Sequence, residues 1–292
     1  MGHKFGGMHT EKKLGALEKY LRAYTIALKK QNFNLFYFDA FAGTGDIQIA
    51  ANDATLLEGI DEYSPFVKGS AQRALSMKRA FSRYIFVDNA ASKVADLEKL
   101  RASHSDIADI IEVRKGDANE ELIRFCHKTN WENARAVVFL DPYGNQVRWD
   151  TIEAIAATER IDLWYLFPAF LGVDRQISKQ GAVHPTHVPS LDQLLGTREW
   201  RNSFIKTEIS VDLFGSREIQ EKRTTVESVT RFMVERMRSV FRGGVLDEWL
   251  PLGSNGAHWY SLLFAWANPS PKAKLAEKLA KDVMRSTRNG RR

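Results

Sequence analysis

Phe36-Tyr37-Phe38-Asp39-Ala40-Phe41-Ala42-Gly43-Thr44-Gly45-Asp46 is the stretch on which the fold turns. Leu35 to Phe38 favour a buried strand, an acid follows, and then a turn carries two glycines whose bare backbone lets a ligand approach closely. In open parallel α/β sheets, ligands sit beyond the carboxyl ends of the strands, where main-chain N–H groups of the first turn face them. A binding site is therefore expected at residues 39 to 46.

The form of the cradle narrows its ligand. Gly43-Thr44-Gly45 has neither the third glycine of the dinucleotide fingerprint nor the lysine of a phosphate loop, which disfavours nicotinamide and ATP enzymes. Asp-x-Phe-x-Gly-x-Gly after an aromatic strand resembles the first motif of class I S-adenosylmethionine-dependent methyltransferases. There an acid at the strand end meets the cationic methionine end of the cofactor, which implicates Asp39, Phe41, Gly43, Thr44 and Gly45.

Outward from this motif the chain alternates. Leu14, Leu17, Leu21, Tyr24 and Leu28 draw an apolar stripe on a helix from Thr10 to about Lys30, ahead of the first strand. Residues 46–68 lose periodicity and are expected to form a loop or lid. A helix from Ser70 leads to the strand Tyr84–Val87, which ends at Asp88. A carboxylate there suits ribose hydroxyls, normally about 20 residues past the glycines. Asp88 lies 43 residues past Gly45, so this role needs 46–68 to be an insertion. The pattern then repeats: a helix near 91–102, the strand Ile110–Arg114, Gly116-Asp117-Ala118-Asn119, and a helix ending near Lys128. The strand Ala136–Leu140 runs into Asp141-Pro142-Tyr143-Gly144, and a helix at 151–157 precedes the strand Ile161–Phe167. Five strands alternating with helices imply a doubly wound, mainly parallel α/β sheet with right-handed crossovers.

Between Pro168 and about Thr225 the alternation stops, leaving a basic insertion, 168–224, with a possible helix at Leu191–Leu195; it either faces the substrate or covers the surface. His184 and His187 flank a proline in a loop with no third ligand nearby, so no metal is expected. After an amphipathic helix at Val226–Phe241, the strands Val245–Leu250 and Trp259–Ala267 flank Gly253-Ser254-Asn255-Gly256 as a hairpin. Ser270-Pro271 starts a final helix whose buried stripe is expected to be Leu275, Ala276, Leu279, Ala280, Val283 and Met284.

Composition bounds the remaining possibilities. With 292 residues, 44% of them apolar, there is ample material for a core, and 1–292 is expected to be a single domain. One cysteine, Cys126, precludes an internal disulfide or a cysteine-rich metal site and suggests a reducing, cytoplasmic setting. No leader or apolar run of about 20 residues points to a membrane. The net charge of +6 is all carried by 270–292, with eight basic against two acidic residues. That helix is either a phosphate-contacting arm or a docked helix with a solvated face.

Lys13-Leu14, Tyr20-Leu21, Phe38 to Gly45, Gly69-Ser70-Ala71, Gly116 to Asn119 and Phe139 to Gly144 occur in one order. Ile161 to Trp164, Gly196-Thr197 with Trp200, and the segment from Phe264-Ala265 to Asn268-Pro269 extend the match. Over nearly its whole length the chain resembles the three-Cys-motif partner protein (TcmP) family. The resemblance implies a seven-stranded, Rossmann-like class I methyltransferase fold closed by a C-terminal antiparallel hairpin. It also implies S-adenosylmethionine as cofactor and a separate protein partner with three cysteines. Asp117 and Ala118 then match the position that meets the cofactor's adenine; the alternative for Asp88 and Asp117 is that they cap the helices that follow them. Asp141-Pro142-Tyr143 is similar to motifs of nucleic-acid amino-methyltransferases. In that role the acid and the proline carbonyl accept the two N–H bonds of an exocyclic amine while the tyrosine stacks on the base. The expected function is methylation of an exocyclic amino group of a nucleobase in RNA or DNA. The alternative is a catalytically silent methyltransferase fold that serves the cysteine-bearing partner.

Overall fold

In a computed structural model of the chain, residues 7–42, 69–77, 80–212, 215–253 and 257–290 are described. Gly43, Thr44, Gly45 and the expected lid at 46–68 lie outside them. The first half alternates as the sequence predicts: α1 (Gly7–Leu28), β1 (Asn34–Asp39), α2 (Gly69–Leu75), β2 (Arg83–Asp88), α3 (Ala91–Ser103), β3 (Ile111–Lys115), α4 (Ala118–Lys128), β4 (Ala134–Leu140), α5 (Trp149–Ala157) and β5 (Ile161–Phe167). After these come α6 (Val188–Leu195), α7 (Trp200–Phe204), β6 (Ile205–Asp212), β7 (Gly215–Lys222), α8 (Val226–Arg238), β8 (Gly244–Val245), β9 (Leu250–Leu252), β10 (Tyr260–Trp266) and α9 (Lys274–Arg288).

The main sheet has the order β3-β2-β1-β4-β5-β10-β8, with β9 also on the outer edge of β10. The β1 to β5 ladder is parallel throughout, and β10 enters antiparallel between β5 and the edge. Every residue of β5 and β10 is buried, as expected of inner strands covered on both faces. This is a mixed α/β fold whose central sheet is mainly parallel, with an antiparallel strand inserted beside β5. The outer strand corrects one boundary: the expected strand Val245–Leu250 is interrupted at residues 246–249, and β8 and β9 occupy one position along β10 on either side of the break. Together they bring the sheet to seven strand positions.

Alternation along the strands divides the core in two. Phe38, Val138, Leu163 and Leu263 face one side, where α4, α5 and α8 pack, while Tyr37, Phe139, Trp164 and Phe264 face α1, α2 and α9 on the other. α1 is fixed by more than packing. Tyr20 meets Trp164 edge-on at 5.3 Å between ring centroids, and its hydroxyl donates to Asp162 Oδ2 at 2.6 Å at the start of β5. The Leu14 side chain fills the space in which Gly69 would carry a Cβ.

The insertion at 168–224 contains the expected helix, as α6, and also an element not expected there: β6 and β7 form a two-stranded antiparallel ribbon, preceded by α6 and α7. At its root Lys222 Nζ pairs with Asp174 at 2.9 Å and Thr224 donates to the same acid at 2.6 Å. The last helix also differs in detail. α9 buries Ala280, Val283, Met284 and Thr287, whereas Leu275, more than a turn ahead of them, is exposed. Arg285 lies 3.3 Å from Glu248, and Arg288 donates to the Trp249 carbonyl at 2.9 Å. Among the described residues no helix is long and apolar enough to cross a membrane.

Candidate functional site

Parallel pairing brings the expected acids to one edge. Asp39, the last residue of β1, is level with Phe86 on one neighbour and Phe139 on the other. Asp88 and Asp141 therefore each stand two residues further along, flanking β1 symmetrically. Two residues is one strand period, so the three positions share the sheet face occupied by α1 and α2.

Asp39 is fully buried. Its Oδ2 accepts a hydrogen bond from the Tyr37 hydroxyl at 3.3 Å, while among the described residues no donor meets Oδ1 in hydrogen-bond geometry, the Ser70 hydroxyl and Phe41 amide lying nearby. Burial pushes its pKa up to about 7; the nearby Ser70 hydroxyl opposes this, Asp141 adds to it, and the Phe41 amide and Tyr37 oppose it. An unpartnered carboxylate oxygen in a protein interior is costly, and it marks a place where a cationic or N–H-bearing ligand would be stabilised. Phe41, two residues on, is partly buried against the core.

Asp88 and Asp117 both take part in helix entry, the second of the two roles the sequence left open. Asp88 Oδ1 accepts from the Ala90 amide at 2.7 Å, which shapes the entry to α3, and burial raises its pKa while that amide and Lys93 restrain it. Asp117 is the N-cap of α4, its Oδ1 accepting from the Glu120 amide at 3.0 Å. Ala118 opens α4 and is buried. Asn119, quoted with them in the motif, is a structural brace: it donates to the Gln146 carbonyl at 2.9 Å and accepts from the Arg148 amide at 2.9 Å and the Thr151 hydroxyl at 2.8 Å. It thereby fixes the chain just beyond Asp141-Pro142-Tyr143.

That tripeptide leaves β4 as a defined turn. Pro142 is buried, the Tyr143 amide donates to Gln146 Oε1 at 2.7 Å, and Gly144 adopts φ of +64°, a left-handed conformation that glycine takes without strain. Tyr143 is partly exposed. The sequence assigned no role to Lys13, yet its Nζ lies 2.6 Å from Asp141 Oδ2, with side-chain exposures of 13% and 15%. Ser70, likewise quoted only as a motif residue, is buried beside Asp39.

Other features stand apart from this edge. His184 and His187 lie 5.7 Å apart between ring centroids, the former bonded to Thr186, and among the described residues no group of three potential metal ligands is present. An open depression of about 930 Å³ lies over α6 and the start of α7, lined by Asp192, Arg198 and Arg201 among others, and contains none of the strand-end acids.

Neither a protein-family model nor a curated protein matches this chain. Among solved structures, protein LPL1258 from Legionella pneumophila is similar at 14% identity, with 98% of this chain and 94% of that one covered and a TM-score of 0.49. Magnesium protoporphyrin IX methyltransferase (ChlM) from Synechocystis PCC 6803, with bound SAM, is similar at 12% identity over 77% of this chain and 86% of that one, with a TM-score of 0.33. The same enzyme with bound SAH covers 72% of this chain and 84% of its own, at 12% identity and a TM-score of 0.30. The fold assignment rests on the strand order, to which these distant likenesses add nothing further.

Proposed function

We propose that this chain is an S-adenosylmethionine-dependent methyltransferase acting on an exocyclic amino group of a nucleobase in RNA or DNA. The observation that carries the cofactor is Asp39: a buried carboxylate at the end of β1, one oxygen of which meets no donor among the described residues, matches a cationic ligand better than a phosphate. In this reading Asp39, Phe41 and Gly43-Thr44-Gly45 hold the methionine end, Asp88 the ribose, and Asp117 with Ala118 the adenine. When bound, the cofactor supplies an electrophilic methyl group on a sulfonium.

The chain's own residues then hold the acceptor. An exocyclic amine is a weak nucleophile because its lone pair is spread into the ring, so orientation matters more than basicity. Asp141 and the Pro142 carbonyl accept its two N–H bonds, and Tyr143 stacks on the base. A base in a duplex has to be flipped out first. The insertion that begins at the end of β5 rises from this same edge and is proposed to face the nucleic acid. The ordered motifs support placing the chain in the three-Cys-motif partner family and expecting a cysteine-bearing partner.

Methyl transfer from labelled S-adenosylmethionine to total RNA, DNA and protein, with and without that partner, tests this reading. Asp141→Ala is expected to lower turnover by about 10²–10⁴-fold while cofactor affinity stays nearly intact. Once an acceptor is found, unchanged turnover in that variant would remove Asp141 from the chemistry.

A further inference from the structure

We propose that Lys13 is a positioning residue of this site: its ammonium holds one oxygen of Asp141 and balances that acid's charge, so that α1 completes the working edge of the sheet. The proposal rests on the role given to Asp141 above.

Its basis is geometric. Lys13 Nζ and Asp141 Oδ2 meet at 2.6 Å although 128 residues separate them in sequence, and both side chains are largely withdrawn from water. A pair so placed is poor value as a stabiliser, because desolvating two charges consumes most of their attraction. Nor does α1 need it for docking. Tyr20, seven residues on and so about two turns or 10 Å along the same helix face, already bonds Asp162 and packs on Trp164 and Phe264. What the pair does achieve is local. It engages Oδ2 and, among the described residues, leaves Oδ1 with its lone pairs for an N–H donor. It also sets a cation against the acid that follows β4, next to the end of β1.

That arrangement predicts an electrostatic coupling that packing alone would not produce. The described groups that face Asp39 are Tyr37 on β1, Ser70 on α2, the Phe41 amide, and Asp141 after β4; Tyr84 on β2 stands behind Tyr37, and Lys13 on α1 acts through Asp141. Asp141 disfavours a charged Asp39, and Lys13 compensates it. Removing Lys13 should therefore make Asp39 harder to ionise, and removing the Asp141 charge as well should abolish the effect.

The test uses the full chain without ligand, carrying carboxyl-¹³C aspartate, with the Asp39 signal identified by its loss in Asp39→Asn. Asp39 in the parent is expected to titrate near pH 7. In Lys13→Met its midpoint should rise by about one pH unit. Lys13→Gln, which keeps an N–H donor without the charge, should give the same rise and serves where Lys13→Met does not fold. In Lys13→Met/Asp141→Asn the midpoint should return to or below that of the parent. An unmoved midpoint in the single variants overturns the proposal, as does an equal rise in the double variant. A parallel titration of the parent with S-adenosylmethionine separates the two ideas: no binding together with the coupled shift defeats the cofactor assignment alone, and binding without the shift defeats the role of Lys13 alone.

Discussion

Asp39 sets function against stability. Its folded pKa of about 7 lies above the roughly 3.9 of an unfolded aspartate, so the folded state binds the proton more readily. Its favourable contribution is thus fully present below about pH 4 and is lost as pH rises through about 7. Asp162, also raised to about 7 by burial and restrained by Tyr20 and Arg135, acts with the same sign. Denaturant unfolding followed against pH should show stability falling between pH 4 and 7. Asp39→Asn should flatten roughly half of that slope and be more stable than the parent at pH 8 by on the order of 2–4 kcal/mol. A variant with the parental slope would refute the burial argument. The acids at 39, 88 and 141 were legible because each ends an apolar run beside a turn. Lys13 was not, because helical periodicity places it next to an apolar stripe but says nothing of a partner 128 residues away.

Elements were legible where they bury a face. β5 was found at its observed ends, since its apolar run has one place to go. The β6–β7 ribbon was missed although Ile205, Thr207, Ile209 and Val211 alternate with Lys206, Glu208, Ser210 and Asp212. Its alternation does not mark a core: Ile209 is 74% exposed and Ile219 45%. The motif pair Gly196 and Trp200 proves structural. Gly196 closes α6 at φ of +64°, and a Cβ there would stand 2.0 Å from the Trp149 ring. Trp200 donates to Asp192 Oδ1 at 2.7 Å on the preceding helix. Gly196→Ala combines a strained backbone with overpacking, and urea unfolding should register a loss of about 2–4 kcal/mol. A loss under about 0.5 kcal/mol would mean that the ring moves aside freely.

At the scale of the molecule, alternation of strand and helix already implied a parallel doubly wound sheet, and the resemblance added the antiparallel last strand; the order β3-β2-β1-β4-β5-β10-β8 agrees with both. Net charge was less informative. The basic segment that carries it forms α9, which docks against α1 with Arg285 beside Glu248. What composition could not reveal is that this sheet order gathers three acids and a lysine from four distant segments onto one edge. The claim that this edge holds S-adenosylmethionine is tested most directly by isothermal titration at pH 8, where Asp39 is mainly ionised. The account predicts saturable binding at one site, weakened by about tenfold or more in Asp39→Asn through loss of a charge-assisted contact. No binding by the parent chain, or equal affinity in the two proteins, would contradict it.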